Sequence, residues 1–149
     1  MLFSKNVRQT GGHETPAVNP YNEGLNANAA NYQPLTPLRF LERSAQLYPN
    51  RIAICHGDTR FTYRQFYQRA CCLCDALQTC FDVNTGDTVS VLLANTPPML
   101  ECHYGIPMTG AVIHSINIRL DVAAIAFQLE HALSKLLIVD SEFSELASA

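Results

Sequence analysis

The residues best equipped for chemistry are the cysteines and histidines. Cys71-Cys72-Leu73-Cys74 contains a C-x-x-C spacing, which elsewhere marks half a zinc site or a redox dithiol. A structural zinc needs four ligands, and the chain has no second C-x-x-C and no closely spaced histidine pair. Helical spacing puts Cys74 and Cys80 on or beside an apolar stripe, where cysteine behaves as a small hydrophobe. Cys72 falls on the polar face as an oxidisable surface thiol. His56, His103, His114 and His131 lie on separate expected elements, and spacing assembles no Ser, His and Asp set, so no catalytic residue is assigned. His103 and His114, near the ends of a helix and a strand, are candidates to line a pocket.

Two further candidates sit in Ile116-Asn117-Ile118-Arg119-Leu120-Asp121, which follows an expected strand. Loops at the carboxyl ends of parallel strands are where α/β proteins place ligands, so Asn117 and Arg119 are candidates to line the same pocket. The plainer role for Asn117 is to shape the turn, and for Arg119 a structural hydrogen bond or ion pair. Neither G-x-G-x-x-G nor G-x-x-x-x-G-K-[ST] occurs, and Thr10-Gly11-Gly12 lacks the flanking strand and helix that a phosphate loop needs.

The elements that must position these residues begin late. Residues 1 to 33 are rich in Asn, Gly and Pro without periodicity and are expected to form an extended or disordered lead-in to a domain over 34–149. Thr36-Pro37 reads as a helix start, with the hydroxyl as cap; Leu38, Leu41, Ala45 and Tyr48 share a face, and Pro49 ends the helix. Arg51 to His56 and Arg60-Phe61-Thr62 around Gly57-Asp58 predict a hairpin. Thr62 caps a long helix with the stripe Tyr63, Phe66, Ala70, Leu73, Leu77 and Cys80. Thr88 to Leu93 is the continuous apolar run of a strand covered on both faces. A helix follows Asn95 or Thr96, with Pro97 and Pro98 in its first turn and Pro107 kinking or ending it ahead of Gly110. Then come a strand at Ala111 to Ile113 and a helix capped by Asp121 bearing Val122, Ile125, Ala126 and Leu129. A strand at Leu136 to Val139 and a short tail from Ser141 complete the pattern. Alternating helix and strand call for an α/β fold: a partial doubly wound, mostly parallel sheet with an opening β-hairpin.

The net charge of −3 and scattered basic residues leave no electrostatic footprint for nucleic acid. No apolar run approaches the ~20 residues of a membrane span, and the N-terminus has no secretory h-region, so the reading is cytoplasmic. Residues 1 to 13, with two basic and no acidic residues, leave organellar targeting open.

Residues 31 to 143 resemble the N-terminal region of the AMP-forming acyl-CoA synthetase family, in its short- and medium-chain branch. The stretches that carry it, in order, are Asn31 to Pro37 leading into Phe40-Leu41-Glu42-Arg43, Tyr48-Pro49-Asn50-Arg51, Phe61-Thr62-Tyr63, Gly86-Asp87-Thr88-Val89, Asn95-Thr96-Pro97, Gly110-Ala111-Val112 and Ile116 to Leu120. Asn19-Pro20-Tyr21 is similar to that branch's lead-in. The resemblance implies a parent enzyme that activates a fatty or other carboxylic acid with ATP and Mg to an acyl-adenylate and passes the acyl group to CoA. The family's Ser/Thr- and Gly-rich loop ending in Pro-Lys-Gly, its aromatic-Gly-x-Thr-Glu motif, its ribose-binding Asp and its C-terminal lysine are absent from these residues. Ala94 stands where relatives commonly have proline. The expectation is a truncated ligase that is inactive alone and needs no cofactor of its own. Two alternatives stand beside it: an interaction module that associates with a complementary fragment or a full-length relative, and a stand-alone flavodoxin-like ligand-binding domain.

Overall fold

The computed structural model describes Gly24, Asn28, Ala30 and residues 32–148. The lead-in expected over residues 1 to 33 therefore lies almost wholly outside the described residues, as do Thr10-Gly11-Gly12 and Asn19-Pro20-Tyr21. Backbone contacts divide the chain into Met1–Pro34 and Leu35–Ala149, and the second unit carries every helix and strand described.

Helix α1 (Pro37–Leu47) buries Leu41. Thr36 stands at its N-cap, but its hydroxyl caps nothing; the Arg39 N–H goes to the Thr36 carbonyl at 3.1 Å instead. Strands β1 (Ile52–His56) and β2 (Thr59–Thr62) form the antiparallel hairpin across Gly57-Asp58. The capping expected at Thr62 is present: its Oγ1 accepts from Gln65 N at 3.3 Å, and the Gln65 side chain accepts from Thr62 N at 2.9 Å. Such a reciprocal box satisfies two orphan amides at the start of α2 (Tyr63–Thr79). The stripe buries Phe66, Ala70 and Leu77, whereas Cys80 is exposed, because the helix ends at Thr79 and Cys80 lies past its last packed turn.

Strand β3 (Thr88–Leu92) is the middle of a three-stranded parallel sheet ordered β4-β3-β5, with β4 at Val112–Ser115 and β5 at Ser134–Val139. Val89 and Val91 face Leu77 of α2 and Cys102 and Ile106 of α3 (Pro97–Met108). Leu92 faces the other way, against Ile125 of α4 (Val122–His131), Leu137 and Val139. Helices thus cover both faces, and the path steps from β3 to one side and then crosses it to the other, which is the doubly wound pattern. A further core joins Leu41, Ile54, Phe66 and Ala70, tying α1 and the hairpin to α2. Gly110, at φ +85°, makes the turn into β4; a Cβ there would lie 2.5 Å from Thr85 Oγ1.

As expected, α3 ends ahead of Gly110, at Met108, one residue past Pro107, whose missing amide falls in the last turn. Three details differ from the sequence reading. β4 continues to Ser115 and β5 begins at Ser134. In α4, Asp121 Oδ1 caps Ala124 N at 2.8 Å as expected, but Val122 and Ala126 are exposed and Ile125 carries the burial. That helix is apolar nearly all round, so periodicity alone does not identify its packed face. The tail is helical: a 3₁₀ turn (Ser141–Phe143) capped by Asp140 leads into α5 (Ser144–Ser148), and Phe143 and Leu146 pack beneath α4.

Candidate functional site

An open cleft of about 350 Å³ lies between the hairpin and the start of α3. β1 contributes Ile54, Cys55 and His56, the segment after β3 contributes Asn95, Thr96 and Pro97, and α3 contributes Leu100 and His103. It sits beyond the carboxyl end of β3, the strand about which the winding reverses, where α/β sheets hold ligands. The chain turns sharply there: Thr96 N donates to Ala94 O at 2.7 Å, and Thr96 Oγ1 donates to the same carbonyl at 3.3 Å instead of capping α3. The lining offers two imidazoles, a thiol, an amide and a hydroxyl on a largely apolar wall. Such a surface can bind and orient a small group by hydrogen bonds, but no carboxylate, lysine or arginine lines it.

Of the four sequence candidates, only His103 lines this cleft. His114 is on β4, its Nδ1 2.8 Å from Ser90 Oγ, which in turn contacts Ser134 Oγ, so it belongs to a hydrogen-bonded chain across three strands. Asn117 Oδ1 accepts from Arg119 N at 3.0 Å and its carbonyl accepts from Leu120 N at 3.2 Å, which is turn-shaping geometry. Arg119 is exposed in that loop. Cys55 and His56 were not joined to His103 by any sequence signal, because the hairpin's seat against α3 is a tertiary fact.

Charge is concentrated elsewhere. Arg69 binds Glu101 in bidentate fashion at 2.5 and 3.1 Å, and its guanidinium lies 4.9 Å from the Phe61 ring centre. That pairing holds the Arg69 pKa up. Beside it, burial and then the Glu101 charge push the Cys102 thiol up to about 11, so Cys102 is an inert core thiol and not a nucleophile. Burial likewise raises Cys74, with a contribution from neighbouring Cys71, in keeping with a partly buried structural role.

Among the described residues, no group of three or more His, Cys, Asp or Glu is placed to hold a metal ion. The α3 N-terminus begins Pro97-Pro98, which removes two of the amides a phosphate would use. No helix among the described residues is long and apolar enough to cross a membrane.

Comparison with known proteins accounts for the architecture. The peroxisomal butyrate–CoA ligase of Arabidopsis thaliana is 49% identical over 117 residues, covering 78% of this chain and 20% of that protein. The peroxisomal benzoate–CoA ligase of the same plant is 47% identical over 118 residues, covering 79% and 20%. The chain thus spans about a fifth of the length of these curated relatives. Among solved structures, O-succinylbenzoate coenzyme A synthetase from Bacillus subtilis superposes with a TM-score of 0.68 at 28% identity, over 78% of this chain and 29% of that one. Mycobacterium tuberculosis fatty acyl CoA synthetase gives 0.69 at 27% identity, over 74% and 22%. The family model of AMP-binding enzymes matches residues 41–149, from within α1 through β5 and the tail, and the chain belongs to the AMP-binding enzyme family.

Proposed function

We propose that these residues form the N-terminal part of an acid–thiol ligase acting on a short- or medium-chain carboxylic acid. The reaction has two halves. The substrate carboxylate displaces pyrophosphate from ATP to give an acyl-adenylate, and the CoA thiol then displaces AMP to give the thioester. The observation that carries this reading is near-half identity to ligases named for butyrate and benzoate along more than three-quarters of the chain. No step is assigned to a described residue. The part played here is architectural: α2 and α3 brace the parallel sheet, and the 149 residues alone do not adenylate, since the groups that stabilise charge on phosphorus supply most of such catalysis. ATP, magnesium and CoA therefore belong to the complete ligase. The relatives are named peroxisomal, and the cytoplasmic location proposed here is checked by imaging the tagged chain against a peroxisomal marker.

The test is a chimera in which the matching residues of this chain replace the N-terminal fifth of the Arabidopsis butyrate–CoA ligase. Butyrate-dependent ATP–pyrophosphate exchange by the chimera, and none by the purified 149-residue chain, is the expected result. A chimera that is soluble, unfolds cooperatively and shows no exchange overturns the ligase reading. Exchange by the chain alone overturns its inactivity.

A further inference from the structure

Three of the six cysteines fall within four residues of α2, and the ligase reading uses none of them. The helix sorts them by angle. With about 3.6 residues per turn, Tyr67, Cys71, Cys74 and Gln78 follow one another along a single line of its surface. Neighbours on that line interact in order. The Tyr67 hydroxyl hydrogen-bonds the Cys71 sulfur, Cys74 feels the charge of Cys71, and the Cys74 thiol donates to Gln78 Oε1 at 3.9 Å. Cys72 lies off the line, in a recess with Phe61, Gln65, Gln68 and Arg69. Cys80 is exposed past the helix end, 3.6 Å from Thr79 Oγ1. Cys71 and Cys74 are thus a pair, and both are half-buried, so an ion can reach them; Cys102 is closed in the core.

The spacing selects what can join the two sulfurs. Side chains three apart on an α-helix hold their Cβ atoms about 5–6 Å apart, whereas a disulfide needs about 3.5–4.5 Å. Closing Cys71 directly onto Cys74 would bend α2 beside Ala70 and Leu77, which are packed in the core. A single atom between the sulfurs lengthens the bridge and removes that conflict. The atom has two ligands to use. Among the described residues no set of three or more His, Cys, Asp or Glu converges on a metal, which excludes the four ligands of zinc and the oxygen shells of calcium and magnesium. Thiolates select soft ions, and of these Cu(I) is satisfied by two sulfurs in line.

We infer that Cys71 and Cys74 form a two-thiolate site on α2 for a soft monovalent cation of the Cu(I) type. Binding releases two protons, one from each thiol, and leaves a bis-thiolate complex with one net negative charge; no electron is exchanged. The bond from Cys74 to Gln78 is given up when that proton leaves. Tyr67 is the positioning residue, since its phenol donates to the Cys71 sulfur. That hydrogen bond, followed by burial, raises Tyr67 above the usual phenol range and keeps it a donor. Both ligands and their supports lie on one helix, so the site needs nothing from the rest of a ligase.

Anaerobic titration of the 149-residue chain with Cu(I) against bicinchoninate tests it, with X-ray absorption at the copper edge to count sulfurs. One ion per chain with two sulfur neighbours is the expected result. Losing an outer partner of a metal ligand costs about 10–100-fold in affinity, so Tyr67→Phe is expected to weaken binding by roughly 10-fold, and Cys71→Ser or Cys74→Ser by at least about 100-fold. Cys72→Ser and Cys80→Ser leave it unchanged. Alkylation of the unsubstituted protein gives the same answer however the variants fold: Cu(I) protects Cys71 and Cys74 from a maleimide, while Cys55, Cys72 and Cys80 stay open. Undiminished affinity in Cys71→Ser or Cys74→Ser, protection of Cys72 in place of Cys74, or one ion shared between two chains overturns the site.

Discussion

Glu101 is a carboxylate only 10% exposed that accepts two hydrogen bonds from Arg69. Removing the guanidinium strands it. Losing the partner of a buried charged group costs about 1–3 kcal/mol, and because Arg69 is 48% exposed, Arg69→Met is expected at the lower end of that range. Glu101→Gln keeps an acceptor and costs less. Urea unfolding ranks the two, and equal losses would show that packing on Phe61, not the charge, is what Arg69 supplies. At this scale the sequence was least informative. His103 was a candidate from its place near a helix end, and it lines the cleft. His56 was not a candidate, since it lies 47 positions earlier in the sequence and only the folded hairpin brings it there.

Elements were far more legible, because a helix stripe, a capping box and an apolar strand are local patterns. The alternation of α2, β3, α3, β4, α4 and β5 follows from periodicity. The order β4-β3-β5 and the packed face of α4 depend on contacts between segments, and they needed the structure. Two substitutions probe element junctions. Gly105 sits where α3 crosses α2, and a Cβ there would meet Leu73 Cδ2 at 2.8 Å and Ala70 O at 3.0 Å. Gly105→Ala gains about 1 kcal/mol of helix propensity but costs about 1–3 kcal/mol in overpacking. The Ala70 carbonyl is backbone and cannot swing aside, so a net loss is expected; a gain in denaturation midpoint would mean that the two helices part freely. Leu133, just past the end of α4, adopts φ +49° and is 85% exposed. A left-handed non-glycine residue costs on the order of 1–2 kcal/mol, so Leu133→Gly is expected to stabilise the protein by up to about 1 kcal/mol, partly offset by glycine's extra freedom when unfolded. A lower melting temperature for Leu133→Gly would show that the exposed side chain has a packing role.

At the scale of the whole molecule, ordered motifs named the family, but no local pattern announces which distant segments are tied together. One such tie joins the starts of β3 and β5, where Lys135 Nζ bonds Asp87 Oδ2 at 2.8 Å and reaches Asp82 Oδ2 at 3.8 Å. Lys135, with help from the Asn84 N–H, holds Asp87 below the usual carboxylate range, and Asp87 in turn holds Lys135 above the usual amine range. A depressed acid stabilises the fold fully above its unfolded value of about 3.9, and loses that contribution as pH falls through the lower folded value. A raised amine contributes fully below about 10.4, and loses its contribution as pH rises through the higher folded value. The stability lost in Lys135→Met should therefore be flat from about pH 5 to about pH 9 and shrink toward both ends. Both groups meet solvent, so the plateau is small and fades with added salt. Urea midpoints of the two proteins, taken from pH 2 to pH 11 at low and high salt, measure it. A difference that persists unchanged at pH 2 and in high salt would assign the effect to the packing of the lysine stem, with no electrostatic latch between the strands.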